Sequence, residues 1–322
     1  MAHISVIIPF YNEGENIERI YRELADVRAS LPDHRFEILL MDNHSTDDSF
    51  DRAVKLAGQD SDVKVLRLSR NFGYQANILT GYLNSHGDVA IQLDADGEDD
   101  PRLIPEMLER WRAGYKVVYG VRRKRVESRF LQFQRKLFYR VLNVISAIPI
   151  PLDAGDFRLL DRQVIECLRQ FREANPYLRG LIAYAGFSQT GIVYDRRPRY
   201  RGVSKFSWFQ YWRLAWDATT SFSHEPLNVA TYLGIALSLV SFTGALGYLI
   251  FHFAHGTRAP GFTTLIFSIF FLAGIQLICI GVIGVYVGRI FEEVKSRPKS
   301  FVETAYPPAP PAAGPPATAE HV

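Results

Sequence analysis

Asp94 and Asp96 stand one residue apart at the end of the apolar run Asp88–Asp94. At a strand end, two carboxylates so spaced can hold Mg²⁺ or Mn²⁺ while a diphosphate supplies further oxygens. An Asp-x-Asp pair alone is also common in acidic turns. Here Glu98, Asp99 and Asp100 follow directly, a local density of negative charge that is unfavourable without a cation.

The elements that must position this pair alternate along the first part of the chain. Strands are expected at Ile4–Pro9, Phe36–Asp42, Val63–Ser69, Asp88–Asp94 and Lys116–Gly120, and helices at Glu15–Ala29, Asp47–Ala57, Tyr74–Ser85 and Pro101–Ala113. Such alternation predicts an α/β fold with a doubly wound, mainly parallel, Rossmann-like sheet. Ligands of these sheets bind beyond the carboxyl ends of the strands. Those ends are polar: Asn12-Glu13, Asp42-Asn43, Ser69-Arg70-Asn71 and Asp94-Ala95-Asp96. Asp42, Asp94 and Asp96 then face one crevice, where a divalent cation relieves their repulsion.

With 37 Lys+Arg against 34 Asp+Glu, the net charge of +3 says little, but its distribution is patchy. Basic residues gather at Arg122–Arg125 and Arg196–Lys205, as suits a site for phosphates; no nucleic acid is expected. Cys167 and Cys279 lie too far apart in sequence for a disulfide framework or a zinc pattern. The N-terminal apolar stretch Ile4–Phe10 is short and follows no basic residues, so no signal peptide is expected.

Near Asn228 the chain changes character. Val229–Phe253 and Phe262–Val287 are apolar, contain no Asp, Glu, Lys or Arg, and each exceeds the roughly 20 residues needed to span a bilayer core. The connector His255–Gly261 carries only Arg258, whereas Arg289, Lys295, Arg297 and Lys299 follow the second span. The positive-inside bias therefore places both termini in the cytoplasm. Trp208, Trp212 and Trp216 share one helix face just before the first span, as in an interfacial belt. Arg129–Ile145 has a basic and an apolar face and reads either as a membrane-surface helix or as an ordinary cover for the sheet. The Pro/Ala-rich tail is expected to be disordered from about residue 305.

Several blocks together resemble the family 2 glycosyltransferases of the GT-A fold, in particular their polyprenyl-phosphate branch. They are Val6-Ile-Ile-Pro-Phe-Tyr-Asn-Glu13, Met41-Asp-Asn-His-Ser-Thr-Asp47, Leu68-Ser-Arg-Asn-Phe-Gly73, Gln92-Leu-Asp-Ala-Asp96, Gly155-Asp-Phe-Arg158 and Gly202-Val-Ser-Lys-Phe206. The resemblance implies that Pro9, Tyr11, Glu13 and Asp42 contact the base and ribose of a nucleotide-sugar donor. It implies that Asp94, Ala95 and Asp96 lie at the metal and diphosphate, with Arg199 and Lys205 on the diphosphate. Arg122 and Arg135 are expected on the phosphate of the lipid acceptor, an undecaprenyl or dolichyl phosphate. The family often has Asp-Asp-Gly-Ser where this chain has Asp42-Asn-His-Ser45, and Gln where it has Glu98; Glu98 then adds a metal ligand.

The resemblance also implies inverting transfer by single displacement. The metal and basic side chains neutralise charge on the departing diphosphate. The acceptor phosphate is already anionic, so a strong base is less needed. Asp156 is the candidate carboxylate beside it, either taking the remaining proton or positioning the nucleophile. A pairing of Asp156 with Arg158 is the structural alternative.

The expected organisation is a catalytic domain over 1–205, interface helices over 206–228, a transmembrane hairpin over 229–290 and a tail over 291–322. The expected setting is the inner membrane, as a homo-oligomer in contact with membrane lipids, with a UDP-sugar as donor. Two other functions are open at this stage: a processive polysaccharide synthase, for which Gln210-Tyr-Trp-Arg213-Leu214 is a near match to a known block, and a non-enzymatic nucleotide-sugar-binding subunit.

Overall fold

A computed structural model of the chain describes residues 1–123, 154–173, 176–195, 197, 225–255 and 261–308. These form two units, one drawn from the residues before 206 and after 297, the other from 225–297.

The first unit is built on an eight-stranded sheet. In chain order its strands are β1 (His3–Phe10), β2 (Arg35–Asp42), β3 (Val63–Leu68), β4 (Val89–Gln92), β5 (Val117–Arg122), β6 (Ala154–Asp161), β7 (Gln189–Tyr194) and β8 (Val302–Tyr306). Their spatial order is β7-β5-β6-β4-β1-β2-β3-β8. β1 pairs in parallel with β2 and β4, β2 with β3, and β5 with β7. β6 runs antiparallel between β4 and β5, and β8 runs antiparallel along β3.

Alternation along the strands divides the core between the two faces. Ile4, Val6 and Ile8 of β1 pack with α1 (Gly14–Ser30), α2 (Ser49–Gln59) and α4 (Ile104–Arg112). Ile7, Leu39 and Met41 face the other way, onto α3 (Tyr74–Asn84), α5 (Arg162–Gln170) and α6 (Leu178–Tyr184). In α1 the buried positions Ile17, Ile20, Leu24 and Val27 recur every three or four residues, which makes it one-sided. The sheet is thus doubly wound, as expected.

Three differences from the sequence reading have physical reasons. β4 stops at Gln92, because Asp94 and Asp96 leave the ladder for the loop that carries them. β6 contains the Gly155–Arg158 block, so that block is a strand start at the site edge. Residues 305 and 306, expected in a disordered tail, end β8. There Tyr306 packs against the core and β3 gains a partner on its otherwise open edge.

The second unit contains α7 (Glu225–His255) and α8 (Phe262–Lys295). Both contain stretches long and apolar enough to cross a membrane, Leu227–Tyr248 and Phe271–Lys295. Large apolar side chains such as Val240, Phe242, Leu277 and Ile278 are about 70 % exposed, which points to a surrounding lipid phase. Arg129–Ile145, the Trp208/Trp212/Trp216 face and the 206–228 segment lie outside the described residues.

Candidate active site

The loops after β1, β2 and β3 are tied together by short polar side chains. Asn12, at φ 56°, donates its N–H to Ser45 Oγ at 3.0 Å, and its side-chain oxygen accepts from the Thr46 N–H at 2.8 Å. Asn43 donates to Asn71 Oδ1 at 3.0 Å and accepts from the Phe72 N–H at 3.0 Å. Asn and Asp suit this work because they bond nearby backbone and tolerate left-handed φ.

Asp42 closes β2 and is fully buried. Its Oδ1 accepts from the Ser45 N–H at 2.8 Å, and its Oδ2 lies 3.6 Å from Arg67 Nε with no hydrogen bond among the described residues. Burial holds its carboxyl above the usual range, against the pull of Ser45, Arg67 and His44. Pro9 is buried near the end of β1, Tyr11 is exposed just beyond it, and Glu13 leads into α1 with its carboxylate bonded by Asn16. The structure therefore places these four expected donor contacts along the β1 and β2 ends.

The second half of the site follows from β6. Its antiparallel register pairs Arg158 with both Gln92 of β4 and Tyr119 of β5. Asp156 is consequently carried to the same edge as Asp94, and Arg122 ends β5 beside the start of β6. Parallel pairing with β7 sets Tyr194 next to Arg122.

Asp94 Oδ1 accepts from Tyr74 Oη and, at 2.8 Å, from Gln92 Nε2. Burial, then the neighbouring Asp99, push the Asp94 carboxyl up to about 7 against the Tyr74 hydrogen bond. Asp99 is fully buried; Tyr194 donates to its Oδ1, while its Oδ2 has no hydrogen-bond partner among the described residues. Burial raises Asp99 too, and Arg122 opposes that shift. Asp100 is held by Arg197 and caps the turn at Pro101. The acidic run is thus partly neutralised by protein groups, which the sequence reading had assigned to a cation alone.

Asp156 makes a two-point ion pair with Arg179 of α6: Nε to Oδ1 and Nη2 to Oδ2, both 2.8 Å. Arg158 lies 3.9 Å from Oδ1 and donates instead to the Gly155 carbonyl at 2.7 Å. Burial acts to raise the Asp156 carboxyl, but Arg179, with Arg158 and Arg122, brings it below its ordinary value. Asp156 is therefore ionised at neutral pH and is a weak base. The expected Asp156–Arg158 pair is present as the longer contact, and the shorter two-point partner is Arg179, which sequence spacing gave no reason to choose.

Ala95 is buried between the two aspartates. Asp96 Oδ1 accepts from the Glu98 N–H at 3.1 Å across Gly97, whose φ of 72° favours glycine. This turn leaves Glu98 buried, and among the described residues no three His, Cys, Asp or Glu side chains are grouped to hold a metal. The Asp94/Asp96 pair still fits Mg²⁺ or Mn²⁺, which are commonly held by one or two carboxylates plus substrate phosphates. The raised Asp94 carboxyl is the chemistry a bound cation would reverse. Arg135, Arg199 and Lys205 lie outside the described residues. Tyr74, Arg179 and Tyr194 carry no signal in the sequence that assigns them to the site.

The sheet is mainly parallel and carries an Asp-x-Asp loop beyond its fourth strand. Residues 5–169 match the model for glycosyl transferase family 2, and the chain belongs to that family. It is 39 % identical over 300 residues to the glycosyltransferase sll0501 of Synechocystis sp., covering 93 % of this chain and 94 % of that one. It is 34 % identical over 304 residues to the bactoprenol glucosyl transferase of Shigella phage SfII, covering 94 % and 98 %. Among solved structures it is similar to the mannosyltransferase PcManGT from Pyrobaculum calidifontis, at 17 % identity, 91 % and 86 % coverage and a TM-score of 0.46. The chain is a glycosyltransferase of the GT-A class.

Proposed function

We propose that the enzyme moves a sugar from a nucleotide-sugar, a UDP-sugar, onto the phosphate of a polyprenyl lipid at the cytoplasmic face of the inner membrane. The observation that carries this reading is the two-signed strand edge. Asp94, Asp99 and Asp156 lie close enough at this edge to act on one another, and Arg122, Arg158 and Arg179 lie around Asp156, with Arg122 also facing Asp99. A diphosphate leaving group suits the Asp94/Asp96 pair through a metal, and an anionic acceptor suits the arginines. The two long apolar helices and the family relationship to bactoprenol glucosyl transferases support a lipid acceptor.

In the proposed reaction an oxygen of the acceptor phosphate attacks the anomeric carbon. The bond from that carbon to the diphosphate breaks, and the nucleoside diphosphate leaves with the electron pair. A metal held by Asp94 and Asp96 would act as Lewis acid on the leaving diphosphate. Tyr74 and Gln92 fix the rotamer of Asp94, and Asp42 lies buried at the end of β2 with its Oδ2 beside Arg67. Asp156 stays ionised and orients cations, since the acceptor supplies its own charge.

Purified full-length enzyme with polyprenyl phosphate and a panel of radiolabelled UDP- and GDP-sugars tests the reading. One UDP-sugar is expected to give a labelled lipid, and Asp96→Asn is expected to abolish it while the protein still folds. Near-normal turnover of that variant in EDTA would sink the metal role. A cysteine placed between residues 256 and 260 is expected to react with an impermeant thiol reagent from outside intact cells; reaction only after lysis would overturn the topology. Cross-linking in native membranes is expected to give a homo-oligomer.

A further inference from the structure

Asp156 and Arg179 form a two-point fork at the site. Two parallel bonds of 2.8 Å fix the plane of the guanidinium as well as its position. A guanidinium has five N–H donors, and this fork takes two. The Arg179 side chain is 31 % exposed and Asp156 is 17 % exposed, so the pair is not sealed in the core. Next to it, Arg158 is buried and fixed on the Gly155 carbonyl. A methyl group on Gly155 would come within 3.7 and 3.8 Å of Arg122 Nε and Nη2, so that guanidinium lies against the same turn. Three arginines thus act on the Asp156 carboxylate.

Resting on the polyprenyl-phosphate reading above, we propose that Arg179 binds the acceptor phosphate, and that Asp156 is a positioning residue that holds its guanidinium rather than a proton acceptor. The pair stands at the same sheet edge as the Asp94/Asp96 loop, Asp156 on β6 and Arg179 at the start of α6, where Leu178 bonds Gln75 of α3. Two phosphate sources share this chemistry, the acceptor and the donor diphosphate, and the arms of the experiment separate them. An oxygen of the acceptor held here is tethered beside the crevice where the anomeric carbon must lie, so its attack becomes effectively intramolecular.

The test is steady-state transfer by the full-length enzyme in detergent, with the labelled donor and polyprenyl phosphate varied in turn. Arg179→Gln is expected to raise the acceptor KM by about tenfold or more, as loss of a charge-assisted fork does, with the donor KM within about twofold. Arg179→Lys is expected to recover only part of this, because an ammonium keeps the charge without the fork. If Arg179→Gln does not fold, Arg179→Lys carries the test alone. Asp156→Asn is expected to move the acceptor KM in the same direction.

A rise in donor KM instead would overturn the assignment to the acceptor. So would wild-type acceptor KM in both Arg179 variants, or an Asp156→Asn enzyme that loses kcat while Arg179→Lys behaves as wild type. No transfer to polyprenyl phosphate by the wild type, from any donor, would overturn the functional reading itself. Normal wild-type transfer with unaltered variants would overturn this inference alone.

Discussion

Tyr74 donates its hydroxyl to Asp94 Oδ1, the same oxygen that Gln92 Nε2 bonds at 2.8 Å. The two donors come from different elements, the first turn of α3 and the end of β4, so the carboxylate is gripped from both sides. A buried carboxylate next to Asp99 needs such donors to stay ionised. Tyr74→Phe is expected to lower kcat by about tenfold, the value of a hydrogen bond to a charged group, and to raise the Mn²⁺ concentration needed for half-maximal rate. An unchanged metal titration would show that Tyr74 serves only packing.

At the opposite end of the sheet, Glu37 is a buried carboxylate bonded by Ser5 Oγ at 2.6 Å, Lys64 Nζ at 2.8 Å and the His86 N–H at 2.9 Å. Burial alone would raise it, but these bonds, Lys64 first, bring it from 4.5 down to about 2. A depressed carboxyl contributes stability that is present above its unfolded value and lost as pH falls towards its folded value. Stability is therefore expected to fall from about pH 4.5 towards pH 2, by up to about 3 kcal/mol from this group. Glu37→Gln is expected to be less stable at pH 7 and flatter across that window, as read by thermal inactivation.

Gly87 lies where the chain enters β4. A Cβ there would meet His3 O at 2.7 Å, Ser5 N at 2.7 Å and Val89 O at 2.8 Å, all backbone atoms that cannot rotate away. Gly87→Ala is expected to destabilise the sheet by about 1–3 kcal/mol, through overpacking. A lowered thermal midpoint with unchanged donor KM is the expected result.

β8 lines the edge of β3, with Thr304 opposite Arg67 and Ala305 opposite Leu66. Phe301 packs on Phe72 at 6.2 Å between ring centroids, and Glu303 Oε2 lies 3.7 Å from both Arg67 Nε and His44 Nδ1. Thr304→Pro removes an N–H from this strand and is expected to loosen it. Faster amide exchange across Val65–Leu68 is the measurement; unchanged exchange would mean that β3 holds without its partner.

The first five strands and four helices were legible because each element writes its own period and its own polar end. Ile4, Val6 and Ile8 alternate with Ile7, and the break at Asn12-Glu13 marks the exit from β1. The Asp94/Asp96 loop was legible for the same reason, since its chemistry is local. What the sequence hid is long-range. Arg179 meets Asp156 across 23 residues, and Tyr194 meets Asp99 across 95. No periodicity encodes such partners, because the insertion of β6 between β4 and β5 decides them. The acidic run was read as needing a cation because Arg197, which holds Asp100, stands far along the chain.

The placement of β8 has a consequence for biosynthesis. The sheet's last strand, Val302–Tyr306, is made after both α7 and α8. While those two helices emerge from the ribosome, β3 still presents an unpaired row of N–H and C=O groups. Completion of the catalytic sheet must therefore wait for the hairpin, and a nascent chain halted after Asn228 would carry the Asp94/Asp96 loop on a sheet with one open edge. Ribosome-stalled chains ending before residue 297 should consequently be cut by protease near β3, and chains released at full length should resist.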